Sequence, residues 1–126
     1  MTAGPSLKLT ATVLDAPDAN ELAAFYQRLL GWEVRAQESD WVALAGPGGG
    51  PGLSFQTEAR YRRPVWPAAD GDLPMMSHLD IEVDDLAAGV EHALGAGAVL
   101  AEFQPQDDVR VMLDPAGHPF CLWIRT

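Results

Sequence analysis

Asp18 and Gly31 stand 13 residues apart, and so do Asp84 and Gly97. Aspartate caps helix N-termini because its carboxylate accepts from the unpaired N–H groups of the first turn. Glycine ends helices because it takes the left-handed conformation without steric cost. Each Asp-to-Gly interval follows a stretch in which apolar and polar residues alternate, the period of a strand with two unlike faces. A strand feeding a capped helix, written twice, requires an internally repeated α+β architecture.

The first interval predicts a helix over 18–30, with Leu22, Phe25, Tyr26, Leu29 and Leu30 on one face. Glu21, three places after Asp18, completes a capping-box pattern. Upstream, Leu7, Leu9, Ala11 and Val13 alternate with Lys8, Thr10 and Thr12, which predicts a strand over 7–14. Downstream, Trp32 to Gln37, Asp40 to Ala45 and Leu53 to Gln56 read as short strands, the last two separated by the breaker-rich Gly46–Gly52. The second interval repeats the order. A strand over 76–83 places Leu79, Ile81 and Val83 on one face and His78, Asp80 and Glu82 on the other. Asp84 is the expected cap of a helix over 85–95, with Leu86, Val90, Ala93 and Leu94 facing inward. Strands at Val99–Ala101, Val109–Leu113 and Phe120–Ile124 follow, with Asp114-Pro115-Ala116-Gly117 as a turn. The organisation is therefore a single domain over 1–126 of two tandem βαβββ modules, about 6–57 and about 75–126. The proline- and arginine-containing stretch 58–74 crosses between them.

The net charge of −10 argues against nucleic acid and anionic membranes, since Arg60, Arg62 and Arg63 are the only basic cluster. No apolar run is long enough to span a bilayer, and Met1 to Ser6 lacks the pattern of a signal peptide. The single cysteine, Cys121, has no intrachain disulfide partner and suits a reducing cytoplasm.

Asp15-x-Pro-Asp18, leading to Leu22-x-x-Phe25-Tyr26-x-x-Leu29-Leu30-Gly31-Trp32, resembles the first module of the vicinal oxygen chelate superfamily. His78-Leu79-x-Ile81-x-Val83-Asp84-Asp85-Leu86 and Asp114-Pro115-x-Gly117-x-x-Phe120 resemble its second module. That superfamily includes glyoxalase I, extradiol dioxygenases, fosfomycin resistance enzymes and bleomycin-type binding proteins. The resemblance implies a cupped mixed sheet around a ligand cavity, in a homodimer. Its enzymes hold a divalent metal with one side chain from each of four strands. By position, those sites fall here on Ala11 or Thr12, Gln56, His78 and Cys121. Strand parity favours Thr12, on the same face as His78. One imidazole, one amide oxygen and one thiol suit zinc weakly, and suit Mg²⁺, Mn²⁺ or catalytic Fe²⁺ poorly. Both positions where such enzymes carry glutamate lack a carboxylate, so the base of a glyoxalase-type reaction is missing too.

The expectation is accordingly a small-molecule binding protein of the drug- or antibiotic-sequestering kind, with no metal or other cofactor. Trp41, Trp66 and Trp123 would bury a flat apolar or aromatic ligand, since tryptophan is costly to expose and stacks well. His78, Gln56 and Arg110 would orient it, with Cys121 and Thr12 at the remaining positions. The alternative is a metal-dependent lyase, isomerase or dioxygenase built around His78 with an unusual ligand set. A third reading is an interaction domain with a vestigial cavity. His92 reads as an exposed helix residue, and His118 as part of the turn chemistry before the last strand. Glu82 reads as solvated surface.

Overall fold

The computed structural model describes residues 4–125. Part of the N-terminal stretch considered above, Met1 to Ala3, lies outside them.

Helix α1 (Ala19–Leu30) forms where the apolar spacing requires it. The Asp18 carboxylate accepts from the backbone N–H groups of Asn20 and Glu21, and Gly31 closes the helix at φ 73°. Leu22, Phe25 and Tyr26 are buried, with Leu29 and Leu30 packed at the margin of the same core. Around α1 stand β1 (Ala11–Ala16), β2 (Val34–Gln37), β3 (Trp41–Leu44) and β4 (Gly52–Thr57). They form a mixed sheet in the order β1-β4-β3-β2, with β1 parallel to β4 and the other pairs antiparallel.

The second module repeats this order. It contains β5 (Leu79–Glu82), α2 (Leu86–Ala96), β6 (Val99–Leu100), β7 (Val109–Leu113) and β8 (Pro119–Trp123). Its strands run β5-β8-β7-β6, with β5 parallel to β8. The architecture is α+β, two βαβββ modules each with its own four-stranded mixed sheet. The crossover contributes only an isolated bridge between Val65 and Pro74. Among the described residues, no helix is long and apolar enough to cross a membrane.

One hydrophobic core runs through both modules. Tyr26 stacks on Phe55 of its own sheet and meets Phe120 of β8 edge-on, while Phe25 lies 6.0 Å from Phe120. The Asp114–Gly117 turn docks onto this core through a buried carboxylate. Asp114 accepts from the Tyr26 hydroxyl at 2.7 Å and from the backbone N–H groups of Ala116 and His118. Gly117 takes φ 88°, as the turn reading requires. Burial raises the Asp114 pKa, against the opposing pull of His118 and of its own hydrogen bonds. Burial, and then the Asp114 charge, raise the Tyr26 pKa well above the usual phenol value.

Four local expectations are corrected. The first strand starts at Ala11 instead of residue 7, because its partner β4 begins only at Gly52, opposite Ala11. Leu7 and Leu9 therefore have no strand to pair with and are exposed. Its inward residues are Leu14 and Ala16, so Val13 faces away from α1. The cap of α2 is Asp85, whose carboxylate accepts from Ala88 N–H at 2.9 Å; Asp84 lies one residue too early. Leu94 is 47% exposed, and the buried residues of α2 are Ala93 and Ala96.

Candidate ligand-binding site

The face of each sheet turned away from its helix carries the side chains with chemistry. On the second sheet, alternation places His78 and Asp80 opposite the apolar Leu79 and Ile81. Asp80 pairs with Cys121 on the adjacent parallel strand, and Glu82 with Trp123. His78, Asp80, Cys121 and Trp123 line one cavity of about 370 Å³, together with Trp66 from the crossover, Asp108 before β7 and Val109 at its start. The Trp66 and His78 rings stack, with centroids 5.3 Å apart and planes 20° apart. Phe103 meets the other edge of this aromatic pair, 5.4 Å from Trp66. His78 Nε2 lies 3.1 Å from Asp80 Oδ1. Cys121 is buried, and its thiol is pushed up to about 11, first by burial and then by the Asp80 charge. A thiol held protonated beside a carboxylate is a poor nucleophile. Trp123 carries the Arg125 guanidinium 5.1 Å over its ring, and Arg125 bonds Glu82 at 3.0 Å.

On the first sheet, Val13, Asp15 and Gln56 share the outward face. They line a second and larger cavity of about 560 Å³ with Tyr61, Arg60, Arg62, Met75 and His118. The Gln56 amide donates to Asp15 Oδ1 at 2.6 Å. His118 reaches across from the second module and donates from Nε2 to the Asp15 carbonyl at 2.7 Å. That geometry fixes the proton on Nε2, because a carbonyl only accepts. The Tyr61 hydroxyl donates to the Ala116 carbonyl at 2.7 Å and lies 3.3 Å from His118 Nε2. Burial, and then the Asp114 charge, push the Tyr61 hydroxyl up to about 12.

The candidate residues read from sequence thus separate. His78, Trp66, Trp123 and Cys121 come together in the smaller cavity. Gln56 lies in the larger one. Trp41 pairs with Gln56 across β3 and β4, and so shares its face without lining the cavity. Thr12 pairs with Leu53, on the face turned toward α1, which corrects the expectation that it faces as His78 does. Arg110 pairs with Leu122 and lines a groove beside α2 with Leu86, Val90 and Leu94, remote from His78. Its guanidinium donates to the Asp107 carbonyl at 2.9 Å. Sequence reasoning put Asp80 on the His78 face without giving it a role in binding, and passed over Tyr61 and Asp15. It also gave His118 a local role in a turn, whereas His118 links the modules. The signal for Asp80 was present, since it alternates in phase with His78.

A family model for a glyoxalase-like domain matches residues 11–123. The chain belongs to the glyoxalase-like domain family. With it the chain joins the vicinal oxygen chelate superfamily. The fold of this glyoxalase-like chain is similar to that of a glyoxalase/bleomycin resistance protein/dioxygenase family enzyme from Burkholderia phytofirmans PsJN, with a TM-score of 0.69 and 19% identity over 94% of this chain and 98% of that one. A possible glyoxalase from Bacillus cereus gives 0.68 and 9%, over 94% and 99% of the two chains. A glyoxalase/bleomycin resistance protein from Albidiferax ferrireducens T118 gives 0.64 and 16%, over 94% and 98%. No curated protein matches the sequence. At these identities the likeness is one of fold, and one fold hosts unrelated chemistries.

The divalent metal that the superfamily implies needs donors from four strands converging on one point. The residues at those positions do not fit it. Thr12 faces the helix side, Gln56 is engaged by Asp15, and His78 and Cys121 line a different cavity.

Proposed function

We propose that this chain is a binding protein for small, flat apolar or aromatic molecules, of the drug-sequestering kind. The observation that carries this reading is the Trp66–His78 stack beside Cys121 and Trp123 in the 370 Å³ cavity. A planar ligand entering there exchanges water for aromatic faces, and His78 and Asp80 at the rim supply polar anchors that fix its orientation. Burial and stacking supply the affinity, with no covalent step and no metal required.

A homodimer belongs to the same reading. β1 and β5 each pair on one side alone among the described residues, at the edges of their sheets. Exposed Leu7, Leu9 and Val13 at or before β1, and Met76 before β5, offer apolar surface to a second copy. Unpaired strand edges flanked by apolar side chains invite such pairing. A partner seated there would place one module's outward face against the other's, and enclose cavities that are open in one chain. A cytoplasmic setting accompanies it, on the single unpaired thiol.

The experiment is a titration of intrinsic tryptophan fluorescence with a panel of planar aromatic compounds, using the parent chain and Trp66→Ala. A saturable change in the parent, weakened roughly tenfold or more in the variant, supports the reading, since Trp66 supplies one stacking face and its buried area. Equal affinities in both would end it. Mass measurement by light scattering tests the dimer, and a monomer at all concentrations would remove that part.

A further inference from the structure

We propose that the groove beside α2 is a second binding site, separate from both sheet cavities, and that it takes an amphiphilic carboxylate, an alkyl chain ending in an anionic group. The groove has a volume of about 470 Å³. Leu86, Val90 and Leu94 of α2 and Leu100 of β6 wall it, and Arg110 of β7 lines it too. The three helix residues follow one another at i, i+4 and i+8, so they form one stripe roughly 12 Å long. Leu86 and Val90 root that stripe in the core, whereas Leu94 is 47% and Leu100 44% exposed. β6 ends at Leu100 opposite Met112, which shares a face of β7 with Arg110 two residues away. An open apolar stripe and a cation therefore meet on the helix side of the second sheet. An alkyl chain of medium length with an anionic end covers the one and pairs with the other.

Arg110 selects the occupant. Its Nη1 donates to the carbonyls of Val109 at 2.8 Å, Asp107 at 2.9 Å and Gln106 at 3.4 Å. Those bonds fasten the guanidinium by one corner. Among the described residues, its Nε and Nη2 have no hydrogen-bond partner, and Arg110 has no ion pair. The Nε–Nη2 edge of a guanidinium carries two parallel N–H groups, the pattern that a carboxylate accepts bidentately. A side chain already fastened loses little freedom on binding. Holding the 106–109 turn uses Nη1 alone and gives the apolar stripe no role. The net charge of −10 opposes an anion only weakly from a distance, because charges more than about 10 Å away are screened at 0.1 M salt. Glu91 is the carboxylate that lines the groove itself, so it works against the bound anion at close range. The site does not rest on the proposed aromatic ligand.

The test is calorimetric titration of the full chain with sodium decanoate, kept below the concentration at which it forms micelles. Saturation at about one decanoate per chain is expected, with decan-1-ol about tenfold weaker or worse, since it lacks the charge that Arg110 reads. Arg110→Gln weakens decanoate about tenfold or more for the same reason. Leu94→Glu, at an exposed position that carries no core packing, weakens it too, and Glu91→Gln strengthens it. A planar compound from the fluorescence panel does not displace decanoate. No saturable binding, equal affinities for decanoate and decan-1-ol, or unchanged affinity in Arg110→Gln or Leu94→Glu would each overturn the proposal. So would weaker binding in Glu91→Gln, or competition with the planar compound. Light scattering on the parent and Leu94→Glu should give one mass; a lower mass in the variant would make the stripe an interface between copies and end the proposal.

Discussion

Replacing Tyr26 with phenylalanine removes one oxygen atom from the point where the two modules meet. Tyr26 and Asp114 are both buried, 0% and 1% exposed, and the hydroxyl lies 2.7 Å from Asp114 Oδ2. Phenylalanine keeps the ring packing against Phe25, Phe55 and Phe120, so the change isolates the hydrogen bond. A bond to a charged acceptor contributes about 1.5–3 kcal/mol, and no water replaces it at this depth. The backbone bonds from Ala116 and His118 remain, which keeps the loss near the middle of that range, about 2 kcal/mol. For a chain of this size that is a fall in Tm of roughly 6–12 °C. The Tyr26 bond favours the ionised form of Asp114. The loss should therefore be largest at neutral pH and shrink in acid, as Asp114 takes up its proton. Thermal unfolding followed by circular dichroism at several pH values reads both quantities. A Tm within about 1 °C of the parent, or a loss that grows in acid, would refute the assignment of Asp114 as the carboxylate that ties the modules together.

Further outcomes follow from single contacts. Because burial raises the Asp114 pKa in the fold, its stabilising contribution is complete below the ordinary carboxylate pKa and is lost as pH rises through the raised value. Asp114→Asn should lack that part of the pH dependence of Tm, and an unchanged profile would contradict it. Asp18→Ala leaves the first-turn N–H groups of α1 without their cap and should cost about 1 kcal/mol by denaturant titration, against no change if the cap is idle. Gly31→Ala has open space for its methyl group but inherits φ 73°, so it should cost about 1 kcal/mol through backbone strain alone. Cys121 should react slowly with iodoacetamide at neutral pH and faster as pH approaches about 11, with Asp80→Asn moving the profile to lower pH. Rapid alkylation at neutral pH in the folded parent would count against that environment.

The parts legible in the sequence are those decided by local physics. The face of α1, its Asp18 cap and its Gly31 stop depend on residues within a few turns of each other. The alternation of β5 likewise sorted His78, Asp80 and Glu82 from Leu79, Ile81 and Val83 before any neighbour was known. Failures occurred where a distant segment decides. Leu7 and Leu9 alternate as strand residues do, yet pairing begins only where Gly52 offers a partner. Asp84 and Asp85 are equally capable caps, and spacing alone does not say which of them meets the Ala88 N–H group. Arg110 falls on the helix side because of its register with Leu122, which no spacing within β7 reveals. Asp114 reads as turn chemistry and is that, but its burial arises from Tyr26, 88 residues away. The division of the candidate residues between two cavities has the same origin, since sequence position says which strand face a residue takes and not which faces meet.

Small aromatic molecules are proposed to bind at the Trp66–His78 stack. The most direct measurement is a chemical-shift map of the isotope-labelled chain, recorded with and without a saturating aromatic compound chosen from the fluorescence panel. Large shifts are expected at the Trp66 and Trp123 indole N–H groups, the His78 ring and the Cys121 backbone amide, with His118, Gln56 and Tyr61 little changed. Shifts confined to His118, Gln56 and Tyr61, or no shifts at all, would contradict it.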